Sequence, residues 1–350
     1  MLATLTRHEE DHPARRPRGP RGVRRHEGQE VLSHALFCSA TAWERYGDDW
    51  SSAAPGLRPL LLPDEGRLGP DELAAIDIAV FSQDLWVEGR GRPFFGALLT
   101  APNVRWLHMF SAGLDDPVFD GLLQRGVRVS GSAGSSATPI AHTVMLHALA
   151  LCRNTRAYSA AQSGAVWQGL DALDLEGRRM CIVGMGSIGR EVARIAPHFG
   201  IEVTGVRRTP DGSEPCPTRP VSELHALLPA VDDLVLTAAL TPDSRGLIGV
   251  QELALLPRSS HVINVGRGEL IDETALVEAL QRGHVGGAAL DVFAVEPLDA
   301  GSPLWHMPNV IVTPHTAGRT PISAHRAAEV FTDNLGRFAR GEPLRNERTL

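Results

Sequence analysis

Apolar residues fall in short blocks along most of this chain, and the blocks alternate with stretches whose apolar positions recur every three or four residues. The blocks at 31–37, 57–62, 77–81, 105–110 and 127–129 predict strands, and the stretches near 41–54, 70–75 and 117–124 predict helices. A long apolar helix is expected from about Thr138 to Ala157, with Pro139 near its first turn, where a missing N–H costs nothing. A second series then reads strand 179–183, helix 187–199, strand 201–206, helix 222–228, strand 233–237, helix 250–256, strand 260–265, helix 272–282, and strands 286–290 and 309–313. A last helix, about 322–340, follows that completed sheet and is free to return to the first lobe. Strand–helix alternation at this spacing predicts an α/β fold with parallel sheets.

Residues 1–30 break the pattern. They are rich in Arg, His, Pro, Gly and Glu, lack apolar periodicity and are expected to be disordered, with order beginning near Val31. Seven arginines there oppose five acids, so the tail is only mildly basic, and the whole chain carries −7. A phosphate backbone is repelled by that balance, and no nucleic-acid partner is expected. The 350 residues suffice for two cores. No apolar run approaches the roughly 18–20 residues that span a bilayer. With no secretion-signal pattern at the N-terminus, the expectation is a cytoplasmic protein without membrane partners. Every basic residue other than histidine is arginine, which removes lysine chemistry such as a Schiff base. Cys38, Cys152, Cys181 and Cys216 are scattered and read as free thiols; His142 and His147 lack metal-motif spacing, so no metal is expected.

The segment RRMCIVGMGSIGREVARIA has the form strand, tight turn, helix. Gly184 permits the turn, Gly186 admits a pyrophosphate to the backbone, and Gly189 lets the helix pack. The helix start at Ser187 and Ile188 offers free N–H groups and the positive end of its dipole. The next strand ends in Arg207 and Arg208, where folds that select NAD place an acid for the ribose 2′-hydroxyl. Two guanidiniums suit a 2′-phosphate, so NADP(H) is expected to be preferred, with NAD(H) possible.

Downstream lie NVGRGELID (264–272), GGAALDVFAVEPL (286–298) and TPHTAG (313–318). An arginine, a carboxylate and a histidine in that order provide a carboxylate grip, a tuning group and a proton donor. With VGMGSIG and LTAALTPDSRGLI (236–248), these motifs resemble those of the D-isomer-specific 2-hydroxyacid dehydrogenases over roughly residues 31–340. The resemblance implies two Rossmann-like or flavodoxin-like domains. A nucleotide-binding domain, 134–321, would be inserted into a substrate domain formed by 31–133 and 322–350. It further implies that Arg267 binds the substrate carboxylate and polarises its 2-oxo group, that His315 is the general acid and that Glu296 is its partner. FSAGLD (110–115) matches the loop whose amides, around Ala112 and Gly113, meet the carboxylate, and Asp291 matches an acid near the nicotinamide. The family often has Ala-Glu where this chain has Ala141-His142.

Hydride delivery to a ketone builds negative charge on oxygen, so a positioned proton donor and a fixed cation lower the barrier. The expectation is reduction of small 2-oxo acids, glyoxylate and hydroxypyruvate foremost, to D-2-hydroxy acids by a homodimer. A phosphite or other small-anion dehydrogenase, or a nucleotide-sensing corepressor on the same fold, are the other readings these residues allow.

Overall fold

The computed structural model describes residues 34–349; the expected tail 1–30 lies outside the described residues. Five strands, β1 (Ala35–Cys38), β2 (Arg58–Leu61), β3 (Ile78–Phe81), β4 (Trp106–Met109) and β5 (Arg128–Gly131), pair in parallel in the order β2-β1-β3-β4-β5. Seven more, β6 (Arg179–Val183), β7 (Glu202–Arg207), β8 (Thr218–Pro220), β9 (Asp233–Leu236), β10 (His261–Asn264), β11 (Gly287–Leu290) and β12 (Val310–Val312), form a second parallel sheet. Its order is β12-β11-β10-β9-β6-β7-β8. A two-residue strand, β13 (Glu347–Arg348), returns to the first sheet antiparallel to β5. The protein is thus α/β with two parallel-sheet domains.

Both faces of each sheet are covered, which is why the strands read as solid apolar blocks rather than as alternation. Cys181 and Val183 enter one core of the second sheet, while Met180 and Ile182 enter the core on its other face. In the first sheet Leu36 and Cys38 face one core and Phe37 the other. The helix Pro321–Ala339 packs Ala327, Ala328, Phe331 and Leu335 into the first sheet's core with Trp50 and Trp106. The chain therefore does return to its first lobe after the second sheet is complete.

The long helix is shorter than expected. It runs Ala137–Cys152, with Ala141, Val144, Met145 and Ala148 in a core of the second sheet. Asn154 then takes a left-handed φ of 52°, breaking the helix before a separate one at Thr155–Ser163. Two helices lie where the sequence pattern predicts none, Gln83–Val87 and Gly91–Thr100. The second opens GRP, which looks like a loop. Pro93 nevertheless sits in the first turn, and Phe94 and Leu98 bury one face at i, i+4 spacing.

A buried charge cluster closes the N-terminal edge of the second sheet, away from its nucleotide turn. Arg178 donates from Nε and Nη2 to the two Asp233 oxygens at 2.7 and 2.9 Å, and His261 Nδ1 lies 3.2 Å from Asp233 Oδ1. Burial pushes the Asp233 carboxyl up, but His261 and Arg178 outweigh it and hold the group below its ordinary value. Asp233→Ala would leave Arg178 buried without its counter-charge. It should cost roughly 3 kcal/mol of stability, read as a lower denaturation midpoint. An unchanged midpoint would refute that role.

Candidate active site

The expected chemistry gathers at the C-terminal ends of parallel strands, where open α/β sheets place their ligands. In the second sheet the strand order reverses between β6 and β9, and the glycine turn follows β6. Gly184 has φ +106°, and a Cβ there would lie 2.4 Å from the Ala238 nitrogen. A Cβ on Gly189 would lie 2.0 Å from the Gly184 carbonyl oxygen. These two glycines are fixed by the protein's own packing. Gly186 is different, because a Cβ there meets nothing within 4 Å. It caps the helix Ser187–Ile195 with no side-chain hydrogen bond, and the N–H groups of Ser187 and Ile188 find no protein acceptor among the described residues. The turn therefore presents open space and unpaired donors to an anion, and it fits a dinucleotide pyrophosphate.

The loop after β10 carries Arg267. Asn264 shapes it, donating to the Arg267 carbonyl at 2.8 Å and accepting from the Gly266 N–H at 3.1 Å. The guanidinium donates from Nε and Nη2 to both oxygens of Asp115, at 2.8 and 2.9 Å, and from Nη1 to the Gly266 carbonyl at 2.8 Å. Asp115 belongs to the loop after β4, so the pair joins the two lobes. Three of the guanidinium's five N–H groups are engaged, and one remains on each terminal nitrogen. Burial lowers the affinity of Arg267 for its proton, but Asp115 more than restores it. Gly113 is forced by this contact, since a Cβ there would lie 1.6 Å from Arg267 Nη2. The N–H groups of Ala112 and Gly113 donate to no protein acceptor among the described residues.

Gly268 lets the next segment close in, because a Cβ at that position would lie 1.8 Å from the Phe293 carbonyl carbon. That segment, after β11, carries Glu296. One carboxylate oxygen accepts from the Phe293 N–H at 3.1 Å, and the other lies 2.8 Å from His315 Nδ1. Burial pushes the Glu296 carboxyl up, but His315, the Phe293 amide and nearby Arg267 outweigh it and hold the group below the usual carboxylate range. His315 has φ +52°, a costly conformation for a side chain with a Cβ, and its N–H donates to the Asp291 carbonyl at 2.8 Å. Its Nε2 has no protein partner among the described residues.

Asp291 stands directly after β11, ahead of the histidine turn. It is buried, and its carboxylate holds the histidine turn: one oxygen accepts from the Thr313 hydroxyl (2.6 Å) and the Thr316 N–H (2.9 Å), the other from the Ala317 N–H (2.9 Å). A strand-end aspartate followed by a strained turn needs those donors satisfied internally. The two arginines at the end of β7 stand in different surroundings. Arg207 Nη1 donates to Asp211 at 2.8 Å and to Glu214 at 2.6 Å, whereas Arg208 is exposed, with Asp243 only at 3.9 Å. Asp115 and Asn264 were missed as site residues, although both stand inside motifs that had been singled out.

The profile described as "D-isomer specific 2-hydroxyacid dehydrogenase, NAD binding domain" matches residues 145–317. A glyoxylate/hydroxypyruvate reductase B from Yersinia enterocolitica is 34% identical over 243 residues, covering 67% of this chain and 74% of the relative. This chain belongs to the D-isomer-specific 2-hydroxyacid dehydrogenase family. Members are enzymes that act on a CH–OH group with NAD(P). The solved D-isomer-specific dehydrogenase of Xanthobacter autotrophicus Py2, in complex with NADPH and MES, superposes with TM-score 0.73 at 30% identity, over 91% of this chain and 98% of that one. An NADPH-dependent glyoxylate/hydroxypyruvate reductase of Sinorhizobium meliloti, with NADP and sulfate, gives TM-score 0.73 at 31% identity, over 90% and 98%. Among the described residues no helix is long and apolar enough to cross a membrane.

Proposed function

We propose that this dehydrogenase reduces small 2-oxo acids, glyoxylate and hydroxypyruvate foremost, to D-2-hydroxy acids, preferring NADP(H) and accepting NAD(H). The observation that carries the reading is Arg267, held by Asp115 with one N–H free on each terminal nitrogen, and near enough to the His315–Glu296 pair that its charge acts on Glu296. Two parallel donors suit a carboxylate and the adjacent carbonyl oxygen. The open amides of Ala112 and Gly113 add donors for the same carboxylate. The nicotinamide, when bound, supplies the hydride. His315 gives its proton from Nε2 to the forming alkoxide, and Glu296 on Nδ1 fixes the orientation of the ring. Asp291 acts through the turn it holds and is a positioning residue. A complete proton-donor pair favours catalysis over a purely sensing role.

The glycine turn would seat the pyrophosphate through Gly184, Gly186, Ser187, Ile188 and Gly189. With Arg207 neutralised by two acids, a 2′-phosphate would rest chiefly on Arg208, as NADP(H)-bound relatives encourage. In this reading 134–321 is the nucleotide-binding unit inserted between 31–133 and 322–350, and the protein works in the cytoplasm. It is also a homodimer, joined through the exposed apolar side chains Leu146, Val166 and Trp167. A sedimentation mass of one chain would contradict the dimer.

The test is steady-state oxidation of NADPH and NADH against a panel of 2-oxo acids. Glyoxylate and hydroxypyruvate should give the highest kcat/KM, with NADPH favoured about tenfold or more, the scale of one charge-assisted contact. No turnover of any 2-oxo acid would overturn the reading; equal use of NADH would overturn the cofactor preference.

A further inference from the structure

The Gln83–Val87 helix carries one feature the reaction scheme leaves unused. Trp86 is 56% exposed, an unusual state for so large an apolar ring. It stands edge-on to His315, with ring centroids 6.4 Å apart and planes at 66°. On its other side it meets Phe81 at 6.4 Å in a T-shaped contact. Phe81 is itself clasped by Phe94 and Phe95. The first lobe's aromatic core thus reaches across, through Trp86, to the proton donor of the second.

Trp86 is not what holds its helix in place. Leu85, wholly buried, anchors the helix in the core of the first sheet. Before the helix, Ser82 is hydrogen-bonded to Ser39 at 3.2 Å. Behind it, Arg90 reaches the Asp64 carboxylate at 2.9 Å and the Pro63 carbonyl at 2.5 Å. The helix is pinned at three points, none of which uses the indole. A rigidly mounted, half-exposed indole beside the group that must touch the substrate has the form of a pocket wall.

We propose that Trp86 is a specificity-determining residue that restricts the group on the reacting carbon to hydrogen or hydroxymethyl; this rests on the 2-oxo acid reading above. The argument is one of space. His315 Nδ1 is occupied by Glu296, so the reacting oxygen must approach Nε2. Two rings at 6.4 Å in an edge-on arrangement leave no gap for a chain to pass between them. Any substituent on the carbonyl carbon on that flank meets the indole. The indole is apolar, so it discriminates by size and not by charge.

The experiment compares wild type, Trp86→Ala and Trp86→Phe on glyoxylate, hydroxypyruvate, 2-oxohexanoate and phenylpyruvate with saturating NADPH, alongside thermal melts. Trp86→Ala should melt within about 2 °C of wild type, because the helix keeps its anchors. Its kcat/KM ratio of phenylpyruvate or 2-oxohexanoate to glyoxylate should rise about tenfold or more, the scale of one or two methylenes in a pocket. Trp86→Phe should fall between. An active wild type whose ratio is unchanged in Trp86→Ala overturns the wall while leaving the 2-oxo acid reading intact. A large drop in melting temperature, with all substrates losing in parallel, overturns it in favour of a structural role. A wild type inactive on the whole panel overturns the parent reading and the wall with it.

Discussion

Replacing His315 with asparagine should lower kcat for 2-oxo acid reduction by about 10²-fold to 10⁴-fold, the range for a lost general acid. Asparagine keeps a polar group near Glu296 but cannot deliver a proton. It also tolerates the left-handed backbone found at His315, so the turn on Asp291 should survive. KM should change little, since in the proposed scheme the substrate carboxylate rests on Arg267. The companion variant is Glu296→Gln, which can keep a hydrogen bond to Nδ1 but removes the carboxylate's charge, so kcat should fall while KM changes little. Near-normal kcat in His315→Asn or in a folded Glu296→Gln protein would uncouple the pair from the chemistry.

Arg267→Ala should lower kcat/KM by about 10³-fold, with KM raised and kcat reduced together, because in the proposed scheme one group both binds the carboxylate and faces the developing oxyanion. Lysine should rescue only in part. It offers a point charge where Asp115 and the substrate each require a planar edge. The geometry adds a variant that leaves the arginine in place. Gly113→Ala puts a methyl where Arg267 Nη2 now lies, 1.6 Å from the ideal Cβ, so the guanidinium must shift. A raised KM with the fold intact is the expected result. Wild-type kinetics in Gly113→Ala would mean that Arg267 need not be where the structure puts it.

Most of the alternation of strands and helices is legible in the sequence, because strands buried on both faces leave solid apolar blocks. β6 matches residue for residue, and the other long strands match within a few positions. What escapes are elements without a period of their own. β8 and β13 are two or three residues without an apolar block that become strands only by pairing with an edge; β13 is fixed by Arg128, whose guanidinium grips Glu347 at 2.6 and 2.7 Å. The site divides in the same way. Glycines and the Arg–Glu–His order are visible because turns and proton transfer demand those residue types. The partners are not, since Asp115 meets Arg267 across 152 positions and Glu214 takes Arg207 by loop geometry alone. A charge can be read from sequence, whereas its neutralisation cannot.

In the proposed reaction hydride reaches one face of the carbonyl carbon of a 2-oxo acid, which sets the D configuration, and His315 protonates the oxygen. The most direct measurement follows NADPH deuterated at C4 through reduction of hydroxypyruvate and determines both the label position and the chirality of the glycerate. Wild type should give D-glycerate with deuterium at C2, at a rate that collapses in His315→Asn. L-glycerate, or glycerate carrying no label, would contradict that reaction.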